Sequence, residues 1–207
     1  MCKNEFQLGN KNIFVISTGR TATTAFARAA ACLPGYTSAH ESRSMQPFAS
    51  RLNYPDNHIE ADNRLLFYLP QLENRYGNSA YYVLLKRDPS LIASSYAKRW
   101  HLTVSIVRAW THGVRMIPRV RTAEIEKCCH DFVSYADSTL SLFLSRQKNV
   151  MEFYVSDATN EFIRFSQWIG IDEPPQSALK VWDSRHNKNY KSNLINGFRM
   201  RLRLWFP

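Results

Sequence analysis

The chain moves between two hydrophobic rhythms, unbroken apolar runs of strand length and stripes at helical spacing. Ile13-Phe14-Val15-Ile16 is a continuous apolar, β-rich run that passes at once into Ser17-Thr18-Gly19, the pattern of a buried parallel strand feeding a turn. Residues 23–32 are rich in alanine and carry Phe26 and Ala30 at i, i+4, which predicts a helix, ended by Pro34-Gly35. A second unit of the same kind begins at Tyr81-Tyr82-Val83-Leu84-Leu85 and passes through Lys86-Arg87-Asp88-Pro89 into a helix over 91–100. Asp88 is its expected N-cap, and Pro89 falls at the first helical position, where a missing N–H costs nothing. Residues 58–76 between the two units read as mostly helical, with Pro70 as a break or kink. Residues 122–147 place Ile125, Cys129, Phe132, Val133, Ala136, Leu140, Phe143 and Leu144 on one face of a long helix, with Glu124 and Glu126 in its first turn. Residues 150–155 read as a third strand, and Asp157 as the cap of a helix that runs to Trp168 and stops at Gly170. Strands alternating with helices predict an α/β domain, a mainly parallel central sheet flanked by helices on both faces.

The length, 207 residues, suits one domain over 1–207, and 44% hydrophobic with 21% charged residues favours a packed core. Apolar runs stay far short of a membrane span. Met1-Cys2-Lys3-Asn4-Glu5 leads into a polar stretch rather than a secretory leader, so the mature chain is expected to start at Met1, in the cytoplasm. Cys2, Cys32, Cys128 and Cys129 form no Cys-x-x-Cys pair and have no histidine at ligand spacing, so they read as free thiols, and no metal site is expected. A formal charge of +10 biases the protein toward anionic partners, without separating nucleotide, nucleic acid, acidic sugar and lipid headgroup. The cations are spread out except over 115–121 and 180–203.

Between the first strand and the first helix stands Ser17-Thr18-Gly19-Arg20-Thr21-Ala22-Thr23-Thr24. Backbone N–H groups and the helix dipole favour an anion at such a turn. Small residues let the main chain close around a phosphate, hydroxyls donate to its oxygens, and Arg20 supplies charge. The Walker A spacing G-x-x-x-x-G-K-[ST] does not fit. The run from Gly19 to Thr24 resembles the 5′-phosphosulfate loop of sulfotransferases that use 3′-phosphoadenosine 5′-phosphosulfate (PAPS). In that loop a basic residue precedes Ser/Thr, Gly/Ala, Thr/Ser and Thr. Arg20 takes the basic position, and Ala22 stands where glycine is more common.

Lys86-Arg87-Asp88-Pro89-Ser90-Leu91-Ile92-Ala93-Ser94-Ser95-Tyr96 resembles the same family's 3′-phosphate motif, an arginine at a strand end and a serine eight residues later. Ser95 lies about two helical turns beyond the Asp88 cap, on one face, and Arg87 can fold its fork along that face, so one phosphate could touch both. Phe153-Tyr154-Val155-Ser156-Asp157 resembles a later family segment in which a tyrosine stands near adenine. The acidic pair after that tyrosine is altered here, and a plain strand role for Tyr154 stays open.

The resemblance implies a P-loop NTPase-like three-layer fold. It implies PAPS as donor and 3′,5′-bisphosphoadenosine (PAP) as product, without a metal, and an acceptor hydroxyl or amine on a carbohydrate, a lipid (glycolipid) or a small molecule. It carries nucleotide-binding roles onto Gly19, Arg20, Thr21, Ala22, Thr23, Thr24, Arg87, Ser95 and Tyr154. Sulfuryl transfer needs a deprotonated acceptor, in-line geometry and positive charge at the sulfonate, the last a role for Arg20. Some branches of the family place a glutamate base shortly after the first helix, the position of Glu41; His40 is the competitor, since other branches use histidine. Arg43 is a candidate to orient Glu41. Residues 182–191, with Arg185, Lys188 and Lys191, stand where many members carry a loop over the nucleotide. The tail over 198–207 alternates basic and apolar residues and suits a partner or peripheral contact with an anionic membrane. Two alternatives remain. One is a divergent P-loop small-molecule kinase, which needs a Mg²⁺ site. The other is a non-catalytic nucleotide-binding or nucleic-acid-binding module; nucleic acid is not the expected partner, because no recognised binding motif accompanies the charge.

Overall fold

The computed structural model describes residues 11–183. Among these residues five strands form one sheet: β1 (Ile13–Ile16), β2 (Thr37–His40), β3 (His58–Ala61), β4 (Tyr81–Lys86) and β5 (Val150–Tyr154). Every pairing is parallel, in the order β2-β3-β1-β4-β5. The mainly parallel sheet expected is present, parallel at every pairing among the described residues, with five strands there where the apolar pattern shows three.

Successive residues of a strand face opposite sides, and β1 divides accordingly. Phe14 and Ile16 enter a core with Tyr82 and Leu84, under α2 (Leu69–Tyr76), α3 (Pro89–Ala97) and α5 (Ile125–Leu144). Ile13 and Val15 enter a second core with Val83, Leu85 and Phe153, under α1 (Thr23–Ala30), α6 (Ala158–Trp168) and α7 (Gln176–Asp183). The short α4 (Ile106–Ala109) leads into a π-helical turn, Trp110–Val114, ahead of α5. This is the three-layer α/β architecture expected, with a glycine-containing loop between the first strand and the first helix at the middle of the sheet.

The strands that the pattern hides are β2 and β3. Residues 58–76, expected to be mostly helical, split into β3, a 3₁₀ segment Asn63–Tyr68, and α2. Pro70 lies in the first turn of α2 and opens that helix instead of breaking one. β3 escapes an apolar search because His58 and Glu60 are buried in it. Their cost of burial is met by bonds to each other and to β2 and the loop after it. His58 Nε2 stands 3.0 Å from Glu60 Oε2, His58 Nδ1 stands 2.8 Å from Thr37 Oγ1, and Glu60 accepts from Ser42 N (2.8 Å) and Ser42 Oγ (2.6 Å). Two residues further, Asp62 is buried in an ion pair with Arg51, whose Nη1 also donates to Tyr54 Oη at 2.9 Å. The polar face of β3 therefore anchors the 41–54 connection onto the sheet.

Caps follow the sequence in one place and depart from it in another. Asp88 Oδ1 accepts from Ser90 N (2.8 Å) and Leu91 N (3.0 Å), which starts α3 where expected. Asp157 makes no such bond; its carboxylate takes the side-chain amide of Asn160 instead (2.9 Å), so α6 begins without the side-chain cap expected of it.

Candidate active site at the C-terminal edge of the sheet

Strands β1 and β4 are neighbours whose outgoing connections go to opposite faces, β1 to α1 and β4 to α3. That divergence opens a crevice at the carboxyl ends of the strands, the place where open α/β sheets take ligands. Both candidate phosphate motifs lie at this one crevice.

The loop after β1 is shaped by three successive departures into the left-handed region, Gly19 (φ 84°), Arg20 (φ 57°) and Ala22 (φ 76°). At Gly19 the need for glycine is steric as well, since an added Cβ would lie 1.9 Å from Tyr96 Oη. That hydroxyl donates to Thr18 O at 2.9 Å and locks the loop against α3. Ala22 is the N-cap of α1 and offers no side-chain oxygen, so although Ala25 N donates to Ala22 O at 2.9 Å, the N–H groups of Thr23 and Thr24 have no cap from it. Thr18 Oγ1 and Thr21 Oγ1 are buried without a hydrogen-bond partner among the described residues.

The two motifs are joined directly. Arg20 Nε donates to Ser95 Oγ at 3.0 Å, and Arg87 Nη1 donates to the carbonyl of Arg20 at 2.8 Å. Burial first, and then the neighbouring charges of Arg99 and Arg87, hold Arg20 below its ordinary pKa. No carboxylate pairs with any of these three arginines among the described residues. A group of like charges without a counter-charge, beside unpartnered hydroxyls at a helix N-terminus, is electrostatically matched to a polyanion. A small pocket lined by Thr18, Lys86, Arg87, Pro89 and Asp137 adjoins it.

Glu41 and His40 reach the same edge from the other side. His40 ends β2, and its Nε2 lies 2.9 Å from Thr23 Oγ1 and 3.4 Å from Thr24 Oγ1. Glu41 has a φ of 52°, a strained value for a side chain with a Cβ. Neighbours along an extended strand diverge, yet the Glu41 carboxylate comes within 3.9 Å of His40 Nε2. Its other oxygen meets Arg64 Nη1 at 2.5 Å. Arg64 is placed by Asp62, which accepts from its backbone N–H at 2.7 Å. Arg43 turns elsewhere, with its guanidinium over the Tyr54 ring at 5.6 Å. The Tyr96 phenol, raised above its usual range by burial, feels Arg20, Glu41 and Arg64 together, so the loop, the candidate base and its arginine share one neighbourhood.

Gly19, Arg20, Thr21, Ala22, Thr23, Thr24, Arg87, Ser95, His40 and Glu41 are thus brought to one edge. Tyr154 ends edge strand β5 in register with Lys86, next to Arg87; it is 47% exposed, and its hydroxyl donates to Glu152 at 2.6 Å. Arg185, Lys188 and Lys191, and the 198–207 tail, lie outside the described residues. Sequence reasoning missed Arg64 and Arg99, and gave Tyr96, the last residue of the second motif, no role. Arg99 carried a faint signal, four residues after Ser95 in a helical stretch, and Tyr96 follows Ser95 on α3; Arg64 reaches the site only through chain reversals. Among the described residues no His/Cys/Asp/Glu group could hold a metal ion.

The fold and the edge define an α/β protein with a cationic, hydroxyl-lined crevice at a switch point of a parallel sheet. No protein-family model matches the chain, and no curated protein matches it. Among solved structures it is similar to mouse sulfotransferase SULT7A1 complexed with PAP, with a TM-score of 0.49 and 14% sequence identity over 85% of this chain; the chain spans 65% of the length of that protein.

Proposed function

We propose that the protein is a sulfotransferase that takes a sulfuryl group from PAPS and passes it to an acceptor hydroxyl or amine. The observation that carries the reading is the bonded group Arg87–Arg20–Ser95, two phosphate motifs separate in sequence meeting at one crevice. The buried, unpartnered hydroxyls of Thr18 and Thr21 and the arginines without a carboxylate partner support the reading, since such groups suit the anionic oxygens of an adenosine bisphosphate.

In this reading the turn from Gly19 to Thr24 and the start of α1 hold the 5′ end of the nucleotide. Arg87 and Ser95 hold the 3′-phosphate, and the exposed ring of Tyr154 is offered to the base. PAPS supplies an activated sulfuryl group, whose bond to the 5′-phosphate oxygen breaks as the acceptor oxygen or nitrogen bonds to sulfur, leaving PAP. Arg20 steadies the charge on the sulfonate and the departing oxygen. Glu41 takes the acceptor proton, with Arg64 fixing its orientation, and His40 is the alternative base beside the Thr23 hydroxyl. The acceptor is a carbohydrate, a lipid headgroup or a small molecule.

Calorimetry tests the reading. PAP binds tightly and ATP weakly, and Glu41→Gln keeps PAP affinity while turnover falls roughly 10²- to 10⁴-fold. Equal affinity for ATP and PAP, or ATP-driven phosphoryl transfer, would overturn it. Retained turnover in Glu41→Gln moves the base role to His40.

A further inference from the structure

Threonine hydroxyls crowd the turn after β1 and the start of α1, and their partners are unequally shared. Thr18 Oγ1 and Thr21 Oγ1 are buried with none among the described residues. Thr23 Oγ1 and Thr24 Oγ1 have one partner between them there, Nε2 of His40, at 2.9 and 3.4 Å. The sheet holds that ring in place. His40 pairs in register with Ala61, and Glu41 N donates to Ala61 O at 3.2 Å, so the backbone at the ring is fixed against β3. Thr23 opens α1 and is buried, so its hydroxyl meets the ring rather than water.

An imidazole nitrogen carries either a hydrogen or a lone pair, and the two cases leave the loop in opposite states. With a lone pair on Nε2, the ring takes the hydrogen of a threonine hydroxyl, and that hydroxyl has none left for an anion. With a hydrogen on Nε2, the ring donates to Thr23 Oγ1, and Thr23 keeps its own hydrogen for an anionic oxygen. Glu41 selects the second case. Its Oε1 stands 3.9 Å from Nε2, too far to take the hydrogen from Thr23 Oγ1, and a carboxylate faces an N–H better than a lone pair.

We propose that His40 is a positioning residue of the donor site: through its Nε2 hydrogen it holds Thr23 Oγ1 as an acceptor and so directs the Thr23 hydrogen to an oxygen of the 5′-phosphosulfate. This role rests on the transferase reading above and leaves the acceptor proton to Glu41. The Glu41 carboxylate is free for that task at Oε1, since Arg64 holds Oε2, whereas the outer nitrogen of His40 is committed to the loop.

Calorimetry on the full chain with two nucleotides tests the role. His40→Ala should lower PAP affinity roughly 10-fold, while affinity for adenosine 3′-phosphate, which has no 5′ group, stays within about twofold of the wild type. His40→Gln should restore PAP binding to within about threefold, because the glutamine amide donates at the same reach although it has no basic nitrogen. Thr23→Val should cost PAP binding a similar amount, and His40→Ala added to it should cost less than about threefold more, since both remove one interaction. PAP affinity unchanged in His40→Ala overturns the role, as does a loss that glutamine does not restore, a loss equal for both nucleotides, or losses that add in the double variant. In each of these cases PAP binding by the wild type upholds the transferase reading. A wild type that fails to bind PAP overturns that reading and the role of His40 with it.

Discussion

Replacing Gly19 by alanine would put a methyl carbon 1.9 Å from Tyr96 Oη, where ordinary contacts begin near 3.4 Å, so the hydroxyl must retreat by about 1.5 Å or the loop must shift. Retreat breaks the 2.9 Å bond to Thr18 O and leaves a buried carbonyl unpaired, a loss of about 1–3 kcal/mol. The φ of 84° adds about 1–2 kcal/mol for any residue with a Cβ. Together these predict a destabilisation of about 2–5 kcal/mol, read as a lower urea midpoint at unchanged slope. Because the loop carries Arg20, PAP affinity should fall as well. Tyr96→Phe removes the colliding oxygen and separates the two contributions. Alone it loses only the hydrogen bond; combined with Gly19→Ala it leaves the φ penalty and a tight contact to the ring, so the double variant should be more stable than the sum of the singles by about 1 kcal/mol or more. Strict additivity within about 0.5 kcal/mol, or a Gly19→Ala protein as stable as the wild type, would refute the idea that the Tyr96 hydroxyl seals the loop.

Other expectations follow from the same geometry. Arg87→Ala removes the donor to the Arg20 carbonyl and a charge from the crevice, and should cost PAP binding roughly 10- to 100-fold, the equivalent of about 1.5–3 kcal/mol for a charge-assisted bond; calorimetry reads it, and unchanged affinity would remove Arg87 from the site. Asp62→Ala strands the buried Arg51 and unseats Arg64, and should destabilise the protein by about 3–5 kcal/mol in chemical denaturation. Burial pushes the Cys129 thiol up to about 12, so it stays thiol at pH 8 and should escape iodoacetamide in the native protein while the partly exposed Cys32 is labelled; mass spectrometry of the modified peptides checks this.

The parts of the fold legible in the sequence are those written locally. Ile13–Ile16 and Tyr81–Lys86 are buried on both faces and read as apolar runs, α5 shows its stripe at helical spacing, and Asp88-Pro89 states its own helix start. β2 and β3 were illegible because their stability is not local. Thr37, His58 and Glu60 are tolerable in a sheet only once they bond to one another and to Ser42 in the loop after β2, and that depends on 18- to 21-residue closures which no window of sequence contains.

The candidate site divides along the same line. The sequence by itself determined the types and spacing of the groups, a glycine-bearing hydroxylated turn with Arg20 and an arginine-to-serine interval from Arg87 to Ser95. Only the tertiary structure decided that these turns meet, across 67 residues from Arg87 to the Arg20 carbonyl and 75 from Arg20 to Ser95. It alone decided that Arg64 rather than Arg43 takes Glu41, and that Tyr96 closes over Gly19. Backbone preference and burial pattern act between neighbours in the chain and can be read there; the field at an anion site sums charges that neighbour one another only in space, and strand order sets which of them are neighbours.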